Sequence, residues 1–227
     1  MLPVIIFEAW CQCTEQSDTV FDMFIMIAIS LIFACFITYR CFIVRFEGDG
    51  CFHGSNKVTM AYGTHKYCDE IVKDDIVLLA NSKPARVVCV AKILNNSSNN
   101  IRLLKFPNGL IITEYHPIKL NSTWCFPNQI SAAIPYTHEF DAVYSFLLEM
   151  DDGSQVEHGL LVQGIESAPL GHSITGDVIG HDFFGDPQAI RHALISVSPE
   201  QFNEGLVEIT HMQRSPEGDV CGFLHQP

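Results

Sequence analysis

Beyond Gly50 the chain is broken by turn signals at short intervals, and no other feature limits its fold as strongly. Residues 57–61 are closed by Tyr62-Gly63, 76–79 by Asn81-Ser82 and Pro84, 101–106 by Pro107-Asn108-Gly109, and 142–149 by Asp151-Asp152-Gly153. Between them lie 85–94, rich in Val and Ile, an Asn/Ser loop at 95–100, and the apolar runs 110–113 and 159–165. Gly, Asn and Asp at those points supply the left-handed and side-chain-bonded conformations that reverse a backbone. The runs between them are too short for stable helices and rich in the branched residues that suit a pleated surface. No helical period interrupts them, so the fold expected from residue 51 onward is all-β, with short and mostly antiparallel strands.

The two ends differ in texture. Residues 23–39, MFIMIAISLIFACFITY, carry no charge, and 41–44 extend the run past Arg40, whose long side chain can snorkel. A core helix would show a polar face and this segment has none, so a membrane span over 23–44 is expected. A cleaved signal peptide fits less well, because the run starts late and follows Glu8, Glu15, Asp18 and Asp22. No Lys or Arg precedes the uncharged run 23–39, whereas Arg40 and Arg45 follow that run, which predicts a single-pass membrane protein with its C-terminal part in the cytosol. Sequons at Asn95, Asn96 and Asn121 would matter only in the reverse topology. Near the other end, Asp186-Pro187 predicts a capped helix through about residue 195, and Ser198-Pro199-Glu200 predicts a second, short one. The last dozen residues read as a polar tail.

Charge and cysteine usage exclude several functions. The net charge of -13, with no basic stripe, repels phosphate backbones, so no nucleic-acid partner is expected. The nine cysteines are irregularly spaced and contain no CxxC pair, which argues against a structural zinc site and fits a reducing compartment. Cys68, Cys89 and Cys125 read as small buried hydrophobes. His172, His181 and His192 match no ligand spacing and read as structural or solvated. Neither a metal nor a cofactor is expected.

Two short motifs could carry chemistry. Cys51 follows Gly48-Asp49-Gly50, where the backbone is sterically open. A thiol can attack the carbonyl of the preceding residue, turning the Gly50–Cys51 amide into a thioester. That N-to-S acyl shift is uphill and needs a polarised amide and a proton for the leaving nitrogen. Thr113 and His116 form a T-x-x-H at the end of an apolar run, pairing a hydroxyl with a group that gives and takes protons near neutrality. Pro117 stiffens the chain behind them.

CFHGSNKVTMAYG, IVLLA, GLIITEYHPI and VYSFLLEMDDGSQVEHGLLVQGIES, in that order, resemble the Hint domain shared by inteins and Hedgehog autoprocessing domains. The likeness covers 51–172. It is strongest to Hint domains found with von Willebrand factor A domains in eukaryotic proteins, through C-F-x-G, T-x-x-H-P-I, Val162-Gln163-Gly164-Ile165 and Leu170-Gly171-His172. The resemblance implies a horseshoe of short strands at 51–172, behind a membrane-anchor segment (1–50) and before a short helical C-terminal extension (173–227). It implies that Cys51 is the nucleophile and that Thr113 and His116 polarise and protonate the scissile amide. The substrate is then the chain's own peptide bond, and the thioester is open to water, a thiol, an amine or another nucleophile. The departures narrow this. The matching strand ends at Ile165-Glu166-Ser167 without the His-Asn of a splicing intein, so N-terminal cleavage without splicing is expected. Asp74 and Asp75 read as a structural turn, which leaves sterol transfer unsupported. The alternative is a catalytically inactive Hint-fold binding module held at a membrane.

Overall fold

The computed structural model describes residues 50–96, 101–216 and 218–225. The expected span at 23–44 lies outside them, and among the described residues no helix is long and apolar enough to cross a membrane. The described chain runs through sixteen strands: β1 Phe52–His53, β2 Lys57–Thr59, β3 His65–Tyr67, β4 Ile76–Leu78, β5 Pro84–Leu94, β6 Leu103–Lys105, β7 Ile111–Thr113 and β8 Ile118–Leu120, followed by β9 Thr123–Cys125, β10 Ile134–Pro135, β11 Ala142–Glu149, β12 Leu160–Val162, β13 Ile165–Ser167, β14 Leu206–Ile209, β15 His211–Arg214 and β16 Val220–Leu224. An eight-stranded sheet runs β10, β6, β7, β1, β11, β5, β14, with β4 also on β5. A six-stranded sheet runs β3, β2, β12, β13, β8, β9, and β15 pairs with β16. Every pairing of named strands is antiparallel except that of β14 with β5. The all-β expectation holds for this part of the chain.

The long strands β5 and β11 form the backbone of the large sheet, and side chains alternate across it with the period of two that a pleated strand imposes. Phe146 and Leu148 enter one core with Phe52, Val58, Ile112 and Leu160, whereas Val143 and Leu147 enter a second core with Cys51, Ile93 and Leu170. The second core is closed by residues beyond 172. The helix Pro187–Val197 buries Ile190 and Leu194, one turn apart, and β14 buries Val207 and Ile209. Glu149 ties the layers together by pairing with Arg86 on β5 and Arg191 on this helix.

Two strand readings need correction. The run 159–165 is not one strand: β12 and β13 form a hairpin whose turn residues Gln163 and Gly164 both have positive φ, 49° and 75°. Such a two-residue turn matches the twist of its strands, and hydrophobicity alone does not reveal it when only two residues separate the apolar runs. Nor is the end of the chain a polar tail. β15 and β16 pair, and Val220 and Phe223 are buried in the second core.

The helix signals at 186 and 198 are realised. The Asp186 carboxylate accepts from the amides of Gln188 (2.8 Å) and Ala189 (3.1 Å), with Pro187 in the first turn, and Ser198 accepts from Gln201 (3.2 Å) to open the short helix Pro199–Glu204. Asp186→Ala is expected to lower unfolding stability by about 1 kcal/mol, because two amides lose their acceptor. Urea denaturation measures it, and an unchanged midpoint would show that the cap is replaced by water without cost.

Candidate active site

The sheet brings the first residues of the described chain against β7. Phe52 lies opposite Ile112, and the Cys51 amide donates to the hydroxyl of Thr113 at 3.0 Å. The Thr113 amide donates back to the Cys51 carbonyl at 3.1 Å. The scissile nitrogen proposed from the sequence is therefore held by the residue proposed to polarise it. All three candidates are buried: Cys51 is 1% exposed, Thr113 4% and His116 0%.

His116 follows in the turn after β7, its amide donating to the Thr113 carbonyl. Its ring packs on Phe52 with centroids 4.3 Å apart. Nε2 donates to the carbonyl of Ala168 at 2.9 Å; a carbonyl only accepts, so Nε2 carries the proton and Nδ1 keeps its lone pair. Burial pushes the pKa down to about 3, opposed by the Ala168 carbonyl, seconded by nearby His172, and opposed again by the backbone of Cys51 and Gly50, which lies close to the ring. The ring is thus neutral at physiological pH. Nδ1 has no hydrogen-bond partner, and a Cβ built on Gly50 would sit 3.5 Å from it. An unprotonated base consequently lies against the residue that precedes the candidate scissile bond.

Three further residues complete the site, and sequence reasoning did not single them out for it. Asn56 is fully buried and clamps β7 in place: its amide donates to the carbonyls of Ile111 (2.6 Å) and His53 (2.9 Å), and its oxygen accepts from Ile111 (2.8 Å). Its only sequence signal is an Asn in a turn, which is common. Ser145 on β11 is 1% exposed, and its hydroxyl has no hydrogen-bond partner. His172, expected to be structural or solvated, is 2% exposed; its Nδ1 accepts from the Ile174 amide at 3.0 Å, and burial pushes its pKa down to about 4. Gly50, His116, Ser145, Leu170 and His172 share the lining of a cavity of about 30 Å³. Gly171 is required here: its φ is +65°, and a Cβ would meet the Cα of Pro187 at 2.7 Å.

The remaining expectations divide. His192 lies on an exposed helix face, and among the described residues no three His, Cys, Asp or Glu side chains are grouped as metal ligands. Cys68 and Cys89 are buried, with burial raising both thiol pKa values, that of Cys89 to about 12; Cys125 is half-buried. Asp75 accepts from the Val72 amide and pairs with Lys66, so it is a structural turn residue as read.

A family model described as "Vint: Hint-domain" matches residues 50–222. The chain belongs to the Hint-domain family. Membership implies autoprocessing or splicing-type activity in general. Among solved structures, a DnaB intein from Synechocystis sp. PCC 6803 is 15% identical over 52% of this chain and 97% of its own, with a TM-score of 0.37. The MchDnaB-1 intein is 14% identical over 51% and 98%, with a TM-score of 0.38. No curated protein matches. The assignment rests on the family model, whose match spans most of the chain.

Asn56→Ala strips β7 of two backbone partners inside the core, and a loss of roughly 2–3 kcal/mol of stability is expected in chemical denaturation. A pH dependence also follows from His116. Its folded pKa of about 3 lies below the ordinary value of 6.5, so the unfolded chain binds the proton more readily. Its contribution is fully present above pH 6.5 and is lost as pH falls toward 3; His172 acts in the same direction. The urea midpoint should fall across that window, and His116→Gln should flatten the fall. A midpoint flat in pH would contradict the neutral assignment.

Proposed function

We propose that this Hint domain cuts its own chain at Gly50–Cys51 by an N-to-S acyl shift, releasing residues 51–227 from the segment before them. The observation that carries this is the unprotonated Nδ1 of His116 beside Gly50, together with the Cys51 amide held by Thr113. In the first step the thiol of Cys51 gives its proton to Nδ1, and sulfur attacks the Gly50 carbonyl carbon. In the second the C–N bond breaks, and the imidazolium returns the proton to the departing nitrogen of Cys51. One proton moves from sulfur to nitrogen and one acyl group from nitrogen to sulfur, so the step balances. The low pKa of His116 makes its imidazolium a strong acid, which suits protonation of a poor leaving group. The hydroxyl of Thr113 holds the amide in place throughout, as an acceptor at its N–H.

In the same reading residues 23–44 anchor the precursor in a membrane, and the cut turns an anchored protein into a detached one. The test is to express the full chain with a tag at each end and read products by intact mass, with hydroxylamine added to trap a thioester. Wild type should break between Gly50 and Cys51. Cys51→Ala should not break, and Thr113→Ala and His116→Ala should slow the reaction by roughly 10²–10⁴-fold. A wild-type chain that stays whole in hydroxylamine would leave the catalytically inactive binding module as the reading.

A further inference from the structure

We infer that the cavity beside Cys51 binds the water that resolves the thioester, and that Ser145 positions it. The inference rests on the acyl-shift reading above and names the nucleophile that reading leaves open. Two buried polar side-chain atoms lack hydrogen-bond partners among the described residues, the hydroxyl of Ser145 and Nδ1 of His116. Both residues line the same cavity, and so does Gly50, whose carbonyl carbon is the point of attack. Buried polar atoms are rarely left unpaired, and two around one cavity mark a place for a small hydrogen-bonding molecule.

Register places Ser145 beside the cysteine. β1 pairs with β11 as Phe52 with Tyr144 and His53 with Val143, so one step further sets Ser145 opposite Cys51. Opposite residues in an antiparallel pair project from the same face, with Cβ atoms roughly 4.5–5.5 Å apart. Size then selects the guest. The cavity holds about 30 Å³, and a water needs roughly 10–15 Å³ of such space with two to four polar partners. One or two waters fit. Ser145 and His116 supply two partners. His172 offers a third, because its Nδ1 accepts from Ile174 and its proton therefore sits on Nε2.

The step balances without another reagent. After the acyl shift His116 is neutral again, with Nδ1 as acceptor. The water oxygen bonds to the Gly50 carbonyl carbon while one of its protons passes to Nδ1. The C–S bond breaks, and the thiolate of Cys51 takes that proton back. The products are a carboxylic acid at Gly50, which ionises, and a thiol at Cys51. Ser145 touches the water and not the reacting carbon, so it is a positioning residue.

The experiment uses the full tagged chain in water labelled with heavy oxygen, without added thiol, beside a parallel arm in hydroxylamine. Wild type should give a Gly50-ended fragment with one labelled oxygen in its carboxylate. Ser145→Ala should form the thioester, shown by hydroxylamine cleavage close to the wild-type rate, yet hydrolyse roughly tenfold more slowly, the worth of one hydrogen bond to the nucleophile. Ser145→Thr, which keeps the hydroxyl, should restore hydrolysis in part. Hydrolysis of Ser145→Ala at the wild-type rate, or a wild-type fragment that ends in an adduct or carries no label, overturns the water site while leaving the acyl shift standing. A wild type that hydroxylamine fails to cleave overturns both.

Discussion

The reciprocal hydrogen bonds between Cys51 and Thr113 are the contact on which the site depends. β1 is only two residues long, yet it lies inside the large sheet between β7 and β11. A strand that short cannot hold its register by ladder bonds alone. Phe52, with no exposed surface, adds burial worth about 2–3 kcal/mol, and its ring presses on His116. Asn56 adds the bonds that a longer ladder would have supplied. The segment that carries the thiol is thereby as fixed as a core strand, although it stands where the described chain begins.

The electrostatics of the site follow from burial rather than from charge pairs. The protein is strongly acidic overall, but ion pairs such as Lys92 with Glu208, Lys66 with Asp75, and Glu149 with Arg86 and Arg191 involve none of the site residues. Around Gly50 the imidazoles of His116, His172 and His181 are each pushed toward neutrality by loss of solvent. Asp182 and Asp219 favour the charged form of His181, but no carboxylate figures among the influences on His116, whose imidazolium, once formed, is poorly stabilised. It gives the proton up again readily, which is the property a shuttle needs.

Much of this was legible in the sequence, and what was not has a common cause. Cys51, Thr113 and His116 were readable because their motifs, common singly, occur in the order of the Hint domain, and the structure brings all three together. β11 and the two capped helices were readable because their signals are local: an eight-residue apolar run, and a Pro behind Asp or Ser. The β12–β13 turn escaped because Gln163 is not a residue that announces a left-handed conformation. The closing hairpin escaped because β15 is mostly polar, with His211, Gln213 and Arg214, and neither strand shows a clean apolar alternation. Asn56 and Ser145 were invisible because their meaning is relational. An Asn in a turn and a Ser in a strand acquire roles only from partners 55 residues away, in the one case, or from a shared cavity, in the other. The segment 23–44 lies outside the described residues, so its reading stands on hydropathy and flanking charge alone.

The parallel pairing of β14 with β5 bears on time. Lys92 and Glu208, ion-paired across those strands, are 116 residues apart in the chain, and Cys51 meets Thr113 across 62. Contacts of such long range form late, because a large loop must close before they reward the chain. The second core, which holds Cys51, is closed by a helix and strands from the last part of the sequence. A nascent chain emerging from the ribosome therefore lacks a finished site until residues well beyond 172 have been made. The order of synthesis is itself a safeguard: the thiol is among the earliest of these residues to appear, and it waits for the rest of the protein before its surroundings exist.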